Sequence, residues 1–154
     1  MRKTIIIFML MMGTCLCGTA QSFNQSDLIG TWSVDEDYRH GLDMSFVVTD
    51  SLCQLIIYLD SVYQATQSYY YYLSDDKLEE NGSFDYTLVG KRKSGKYMIC
   101  IWDSERSELR SPTTGEIQTH VAYNMNPRSD RLLGVSSQHL SIIFGDRVEF
   151  HYHR

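Results

Sequence analysis

The sequence predicts an all-β fold, an antiparallel meander closed into a β-barrel of about eight to ten strands. Three observations point there. Apolar and polar residues alternate with period two in short segments such as Phe84-Asp85-Tyr86-Thr87-Leu88 and Val148-Glu149-Phe150-His151-Tyr152-His153, giving each one dry and one wet face. Turn dipeptides separate the segments at hairpin spacing: Asn81-Gly82, Ser94-Gly95, Asn126-Pro127 and Gly145-Asp146. Helix signals are scarce, since 75–80 and 103–110 hold helix-forming residues but no apolar stripe.

In chain order, the first element is a targeting segment. Arg2 and Lys3 precede an unbroken apolar run over 5–12, and Gly18-Thr19-Ala20 places small residues before Gln21. This is the three-part pattern of a secretory signal peptide over 1–20, with an apolar part too short to span a membrane. Cleavage before Gln21 leaves one domain, 21–154, long enough to bury a core and expected in the periplasm or outside the cell. Acylation of Cys15 or Cys17 is the lesser alternative, because Thr14 and Leu16 stand where lipoprotein processing favours a small residue.

Strands are expected over 31–34, 44–48, 52–59, 68–73, 84–88, 97–102, 117–123, 132–135, 140–144 and 148–153, most rich in β-branched and aromatic residues. Both prolines fall between them, as a ladder of paired N–H groups requires. A meander without long crossovers favours a barrel over a sandwich, since closure leaves no exposed edge. The basic cluster Lys91-Arg92-Lys93 with Lys96 reads as a solvated hairpin tip.

Charge narrows the partners. The chain carries a net charge of −5, and loss of Arg2 and Lys3 takes it to −7. Nucleic acid and anionic membrane surfaces both call for clustered cations, so neither is expected as a partner. No further apolar stretch reaches membrane-spanning length. Cys53 and Cys100 remain after cleavage. An even pair in an oxidising compartment permits one disulfide, and two buried thiols on separate strands fit the sequence equally well.

The head of the first long strand is Asp27-Leu28-Ile29-Gly30-Thr31-Trp32. Gly30 lets the backbone approach closely, and Trp32 can plug one end of a barrel. The Gly30-Thr31-Trp32 motif, just after a short turn near the mature N-terminus, resembles that of the lipocalin-like (calycin) barrels. The resemblance implies a small secreted β-barrel in which a basic residue from the end of the last strand packs across the tryptophan. Arg154 is the counterpart, sharing a face with Val148, Phe150 and Tyr152 and able to stack on Trp32 if the first and last strands pair antiparallel.

Eleven tyrosines stand against six phenylalanines, and Tyr69-Tyr70-Tyr71-Tyr72 form one run. Alternation turns two of these rings inward and two outward. An inward tyrosine brings apolar area plus one hydroxyl that needs a partner, which suits a cavity for a partly polar ligand. The candidate ligand-binding residues are Trp32, Phe46, Tyr69, Tyr71, Tyr86, Tyr123, Phe150 and Tyr152. Val34, Met44, Phe84, Leu88, Ile117 and Val121 complete the set expected to face inward.

Glu149, His151 and His153 share one face of the last strand, a spacing that could serve zinc or copper, but alternation sends them to the wet side and no metal site is expected. No cofactor is implied. Neither a Gly-x-Ser-x-Gly elbow, a His-Glu-x-x-His motif nor a phosphate-binding glycine loop occurs. These absences name no catalytic group without excluding an enzyme at the barrel mouth, and the expected function is non-enzymatic: a secreted protein holding a small apolar or amphipathic molecule inside a barrel. The alternative is a filled barrel acting on an envelope protein partner, as a protease inhibitor or assembly factor, with an exposed aromatic patch around Tyr70 and Tyr72.

Overall fold

The computed structural model describes residues 21–39, 41–119 and 126–154. The expected signal peptide, with Cys15 and Cys17, lies outside the described residues, as do Val121 and Tyr123. A two-residue strand β1 (Phe23–Asn24) and a helical turn α1 (Gln25–Leu28) lead into β2 (Gly30–Val34), β3 (Asp43–Val48), β4 (Leu52–Leu59) and β5 (Val62–Ser74). After a covering segment come β6 (Ser94–Gly95), β7 (Tyr97–Trp102), β8 (Glu108–Arg110) and β9 (Ile117–Thr119). The last three strands are β10 (Arg128–Val135), β11 (His139–Phe144) and β12 (Val148–His153).

Eight of these close into an antiparallel barrel in the order β2-β3-β4-β5-β7-β10-β11-β12 and back to β2. The seam is short, with Tyr152 opposite Val34 and His153 opposite Ser33. Closure satisfies both edges of every barrel strand, which an open sheet of this length could not do. The alternation legible in the sequence decides what lies inside. Trp32, Phe46, Tyr71, Leu73, Met98 and Tyr152 are all buried in one cluster filling the interior. The β4–β5 hairpin turns on Asp60 and Ser61, both in the left-handed region (φ 49° and 63°), which matches the right-handed twist of the strands.

The structure corrects three expected elements. Residues 84–88 are not a strand. The Asp85 side chain accepts the Thr87 N–H (2.9 Å) and starts a 3-10 turn over Tyr86–Leu88, a local bond that outcompetes ladder formation. Of the 117–123 expectation, the described residues form β9, which branches off β8 outside the barrel and leaves Ile117 exposed rather than inward. The basic cluster is not a hairpin tip: the Lys93 carbonyl accepts the Gln25 N–H (2.8 Å), and Ser94-Gly95 pairs with β1. Gly95 is needed there because a Cβ would lie 2.4 Å from the Ser74 backbone. The strap ties the N-terminal lead to the barrel.

Among the described residues no helix is long and apolar enough to cross a membrane.

Candidate ligand site in the open half of the barrel

The two ends of the barrel differ. At one end α1 and the residues before β2 form a plug. Leu28 and Trp32 are fully buried, and the Trp32 indole Nε1–H donates to the Leu28 carbonyl (2.8 Å). Arg154 closes this plug from the outside, its guanidinium carbon 4.1 Å from the Trp32 ring centroid. Gly30 adopts φ +141° at the crossing, and any Cβ would press on the Arg154 guanidinium at 3.4 Å. Deeper in, the buried Gln25 amide donates to the Tyr71 hydroxyl (2.8 Å), which donates to the Thr49 carbonyl (2.6 Å). Trp32 and Tyr71 thus belong to the closed end, with their polar atoms already paired.

Toward the opposite end, inward side chains lose their cover. Leu55, Ile57, Tyr69, Phe144 and Phe150 pack against the core yet remain partly exposed. Beneath them Phe46 meets Phe144 (5.8 Å between centroids) and Tyr152 (5.8 Å), and Phe144 meets Phe150 (5.4 Å). The interior is filled by its own rings from Trp32 up to this layer. Above it the five partly exposed apolar side chains mark the open end, or mouth, of the barrel.

One charge cluster faces this mouth. Arg128 opens β10 and Asp130 follows two residues later, so both point inward. The guanidinium grips the carboxylate through both oxygens, Nε to Oδ1 at 2.6 Å and an Nη to Oδ2 at 2.8 Å. The Gly145 N–H adds a third bond to Oδ1 at 2.8 Å, and the Cys100 thiol approaches Oδ2 at 3.6 Å. Asp130 is 2% exposed and Arg128 33% exposed, so the anion lies deep and the cation reaches the mouth. Arg128 also lies over the Tyr69 ring (4.6 Å) and against Phe144 (5.3 Å). Gly145 lets the side chain pass: its φ is +55°, and a Cβ there would lie 3.2 Å from the Arg128 Cδ.

Tyr152 supplies an orphan. Its side chain is fully buried, and its hydroxyl makes no hydrogen bond among the described residues. Burial, then the nearby Asp130 charge, push this phenol well above its ordinary value, so it stays protonated. At the mouth, burial raises Tyr69 while Arg128 pulls the other way. The Tyr69 hydroxyl donates to Gln67 Oε1 (3.0 Å).

The cysteines are free and buried. Cys53 stands opposite Tyr69 on one side of β5, and Cys100 opposite Tyr71 on the other. Two strand spacings, roughly 9.5 Å, exceed the Cα separation of about 4.4–6.8 Å that a disulfide spans. The disulfide alternative is corrected accordingly. Hydrogen bonding to Cys53, burial, and the charges of Cys53 and Asp130 hold the Cys100 thiol well above its ordinary range, protonated and a poor nucleophile.

The remaining sequence candidates disperse. Tyr69, Phe150, Phe46 and Tyr152 come together around the mouth and the ring layer below it. Tyr86 does not. It lies on the outer surface, 56% exposed, with its ring against Phe84 (4.8 Å) and Tyr70 (6.0 Å). Phe84 and Leu88 pack there too, over the outward Tyr72 and Ile99, because the covering segment lies across the outer face of β5 and β7. Tyr72 is consequently only 5% exposed, so the aromatic patch expected around Tyr70 and Tyr72 is covered at Tyr72, while Tyr70 stays partly exposed beside Tyr86.

On the outer face of β12, His151 bonds Glu149 through Nε2 (2.6 Å) and meets Ser141 Oγ through Nδ1 (3.2 Å), while His153 contacts Asp35 (2.5 Å). Each imidazole has its own partner. Among the described residues no group of three His, Cys, Asp or Glu is arranged to hold a metal. Ser141 has a base beside it, but its strand is paired on both sides, so its backbone amides lie in ladders and build no oxyanion pocket.

The Arg128–Asp130 pair was not among the sequence candidates, since Asn126-Pro127 marked a turn there. The available signal was two residues of opposite charge at i and i+2, ahead of the Leu132–Leu133 apolar pair. Comparison with protein-family models, curated proteins and solved structures finds no match to this chain.

Proposed function

We propose that this is an exported binding protein, a small relative of the lipocalin-like (calycin) barrels, that holds a small apolar or amphipathic molecule at the open half of its barrel. One observation carries the reading. Inward-facing Leu55, Ile57, Tyr69, Phe144 and Phe150 keep partial solvent exposure, whereas Leu28 and Trp32 at the plugged end have none. Partly exposed apolar groups gain by exchanging water for an apolar partner, at about 25 cal/mol per Å² covered. The polar groups beside them, Arg128, Gln67 and Tyr69, provide the few directional contacts that orient a ligand. Export rests on the signal-like pattern over 1–20. The protein–protein alternative loses part of its expected signature, because the ring of Tyr72 is packed beneath Phe84.

The test is native mass spectrometry of the protein purified from the envelope or medium of its own cells. A non-covalent adduct of small-molecule mass, lost on denaturation, is the expected result. Protein carrying no adduct and taking up no apolar probe overturns the proposal.

A further inference from the structure

We infer that the protein carries a second site, a polar groove on the outer face of the barrel that takes a neutral saccharide. Strand register builds it. Ser33 stands opposite Ser45 on one side and His153 on the other, and Asp43 stands opposite Tyr58 further along β3 and β4. Trp32, Val34, Met44 and Tyr152 are buried inside, so the residues alternating with them share the outward face. Arg39, from the loop 35–42, and Ser61, from the β4–β5 turn, complete the lining of a groove of about 570 Å³. That volume lies within the roughly 300–1,000 Å³ of small-molecule sites.

The chemistry of this lining is unlike that of the mouth. Among the described residues no hydrogen bond engages the hydroxyls of Ser33, Ser45 or Ser61, and each can both donate and accept. His153 gives Nδ1 to Asp35 at 2.5 Å, which fixes the ring and leaves Nε2 without a partner among the described residues. Arg39 Nε lies 3.4 Å from Asp43, but the contact lacks hydrogen-bond geometry and this buried N–H stays unpaired among the described residues. A buried donor left unpaired is costly, and a ligand oxygen recovers that cost. Asp35 faces His153 and Asp43 faces Arg39, so no uncompensated cation is left to draw an anion. A saccharide meets this pattern, because its adjacent hydroxyls donate and accept without bringing charge. Its C–H face can lie on Tyr58, whose ring is held by an edge contact with Tyr63 (6.2 Å between centroids).

The experiment follows backbone amide resonances of the isotope-labelled protein at pH 7 while trisaccharides are added. Maltotriose, cellotriose and mannotriose are neutral, trigalacturonate is anionic and the glucosamine trimer is cationic. At least one neutral trisaccharide should shift the amides of Ser33, Ser45 and Tyr58 saturably, and more tightly than either charged trimer. Arg39→Met should weaken that binding roughly tenfold, the scale of one hydrogen bond to a charged group. His153→Ala should do the same. Because His153 lies at the barrel seam and that variant can fail to fold, Arg39→Met, in the loop, keeps the test open. No saturable shift at these amides with any neutral trisaccharide overturns the inference. A charged trimer that binds as tightly as the best neutral one overturns it too, as does binding unmoved by Arg39→Met. None of these outcomes bears on the apolar site at the mouth.

Discussion

The Arg154 guanidinium lies 4.1 Å from the Trp32 ring centroid while donating to the carbonyls of Asp27 (3.0 Å) and Ile29 (2.9 Å). One side chain thus joins the residue after the last strand to the turn before the first. Arg154→Ala should lose about 1–2 kcal/mol, combining stacking, two charge-assisted bonds and cover of apolar surface. Trp32→Ala should cost more, roughly 3–5 kcal/mol, because it opens a void at a fully buried position. Urea denaturation of both variants checks the order. An Arg154→Ala loss near zero would mean that closure does not depend on this contact.

The Arg128–Asp130 pair should behave as a unit. Asp130→Ala leaves a cation without its partner, and since Arg128 keeps some solvent the loss should be about 2–3 kcal/mol, below that of a fully buried pair. The double variant Arg128→Met/Asp130→Leu should retain more stability than Asp130→Ala alone. A double variant no more stable than Asp130→Ala would deny the coupling.

Stability should fall in alkali. Burial raises Tyr71 and Tyr152 above the ordinary 10.0, and the Cys53 bond with burial raises Cys100 above 9.0. The unfolded chain releases these protons near the ordinary values, and the folded chain holds them. The unfolded state then binds fewer protons, so stability present below about pH 9 is lost as pH rises further. Melting temperature from pH 7 to 11 reads this, and Tyr152→Phe should flatten the decline. In the same protein, Ellman's reagent should find Cys53 and Cys100 only after denaturation. A melting temperature constant to pH 11 would contradict the assignment.

The β4–β5 turn carries avoidable cost. Ser61 holds φ 63° without being glycine. Ser61→Gly should raise stability by about 1 kcal/mol, since only glycine takes this conformation freely. A destabilised Ser61→Gly would show that the serine side chain compensates.

Much of the barrel was legible because burial enforces a period of two. The segments over 52–59, 97–102 and 148–153 coincide with β4, β7 and β12. Trp32 could be placed at an end because glycine, tryptophan and a basic final strand residue occur in register for one closure. What the sequence hid has local causes. Phe84 to Leu88 alternates like a strand, but Asp85 bonds Thr87 and folds it into a cover. Tyr86 alternates inward by pattern and lies outside for the same reason. The β5 strand runs 13 residues, yet its first half, Val62 to Gln67, carries too many polar side chains to stand out. The Arg128–Asp130 pair escaped notice because charged residues are rarely placed inside, and only the neutralising geometry makes it tolerable.

The central claim, that the mouth above the Phe46–Tyr152 layer takes up a small apolar molecule, is tested most directly by titrating N-phenyl-1-naphthylamine into the native protein and Leu55→Lys. Leu55 is partly exposed at the mouth, so a lysine there can leave the fold intact by circular dichroism while placing a charge across the site. The native protein should give saturable fluorescence with a dissociation constant of about micromolar order, weakened roughly tenfold or more in Leu55→Lys. Fluorescence that never saturates in the native protein, or that is equal in the two, would contradict a binding site at the mouth.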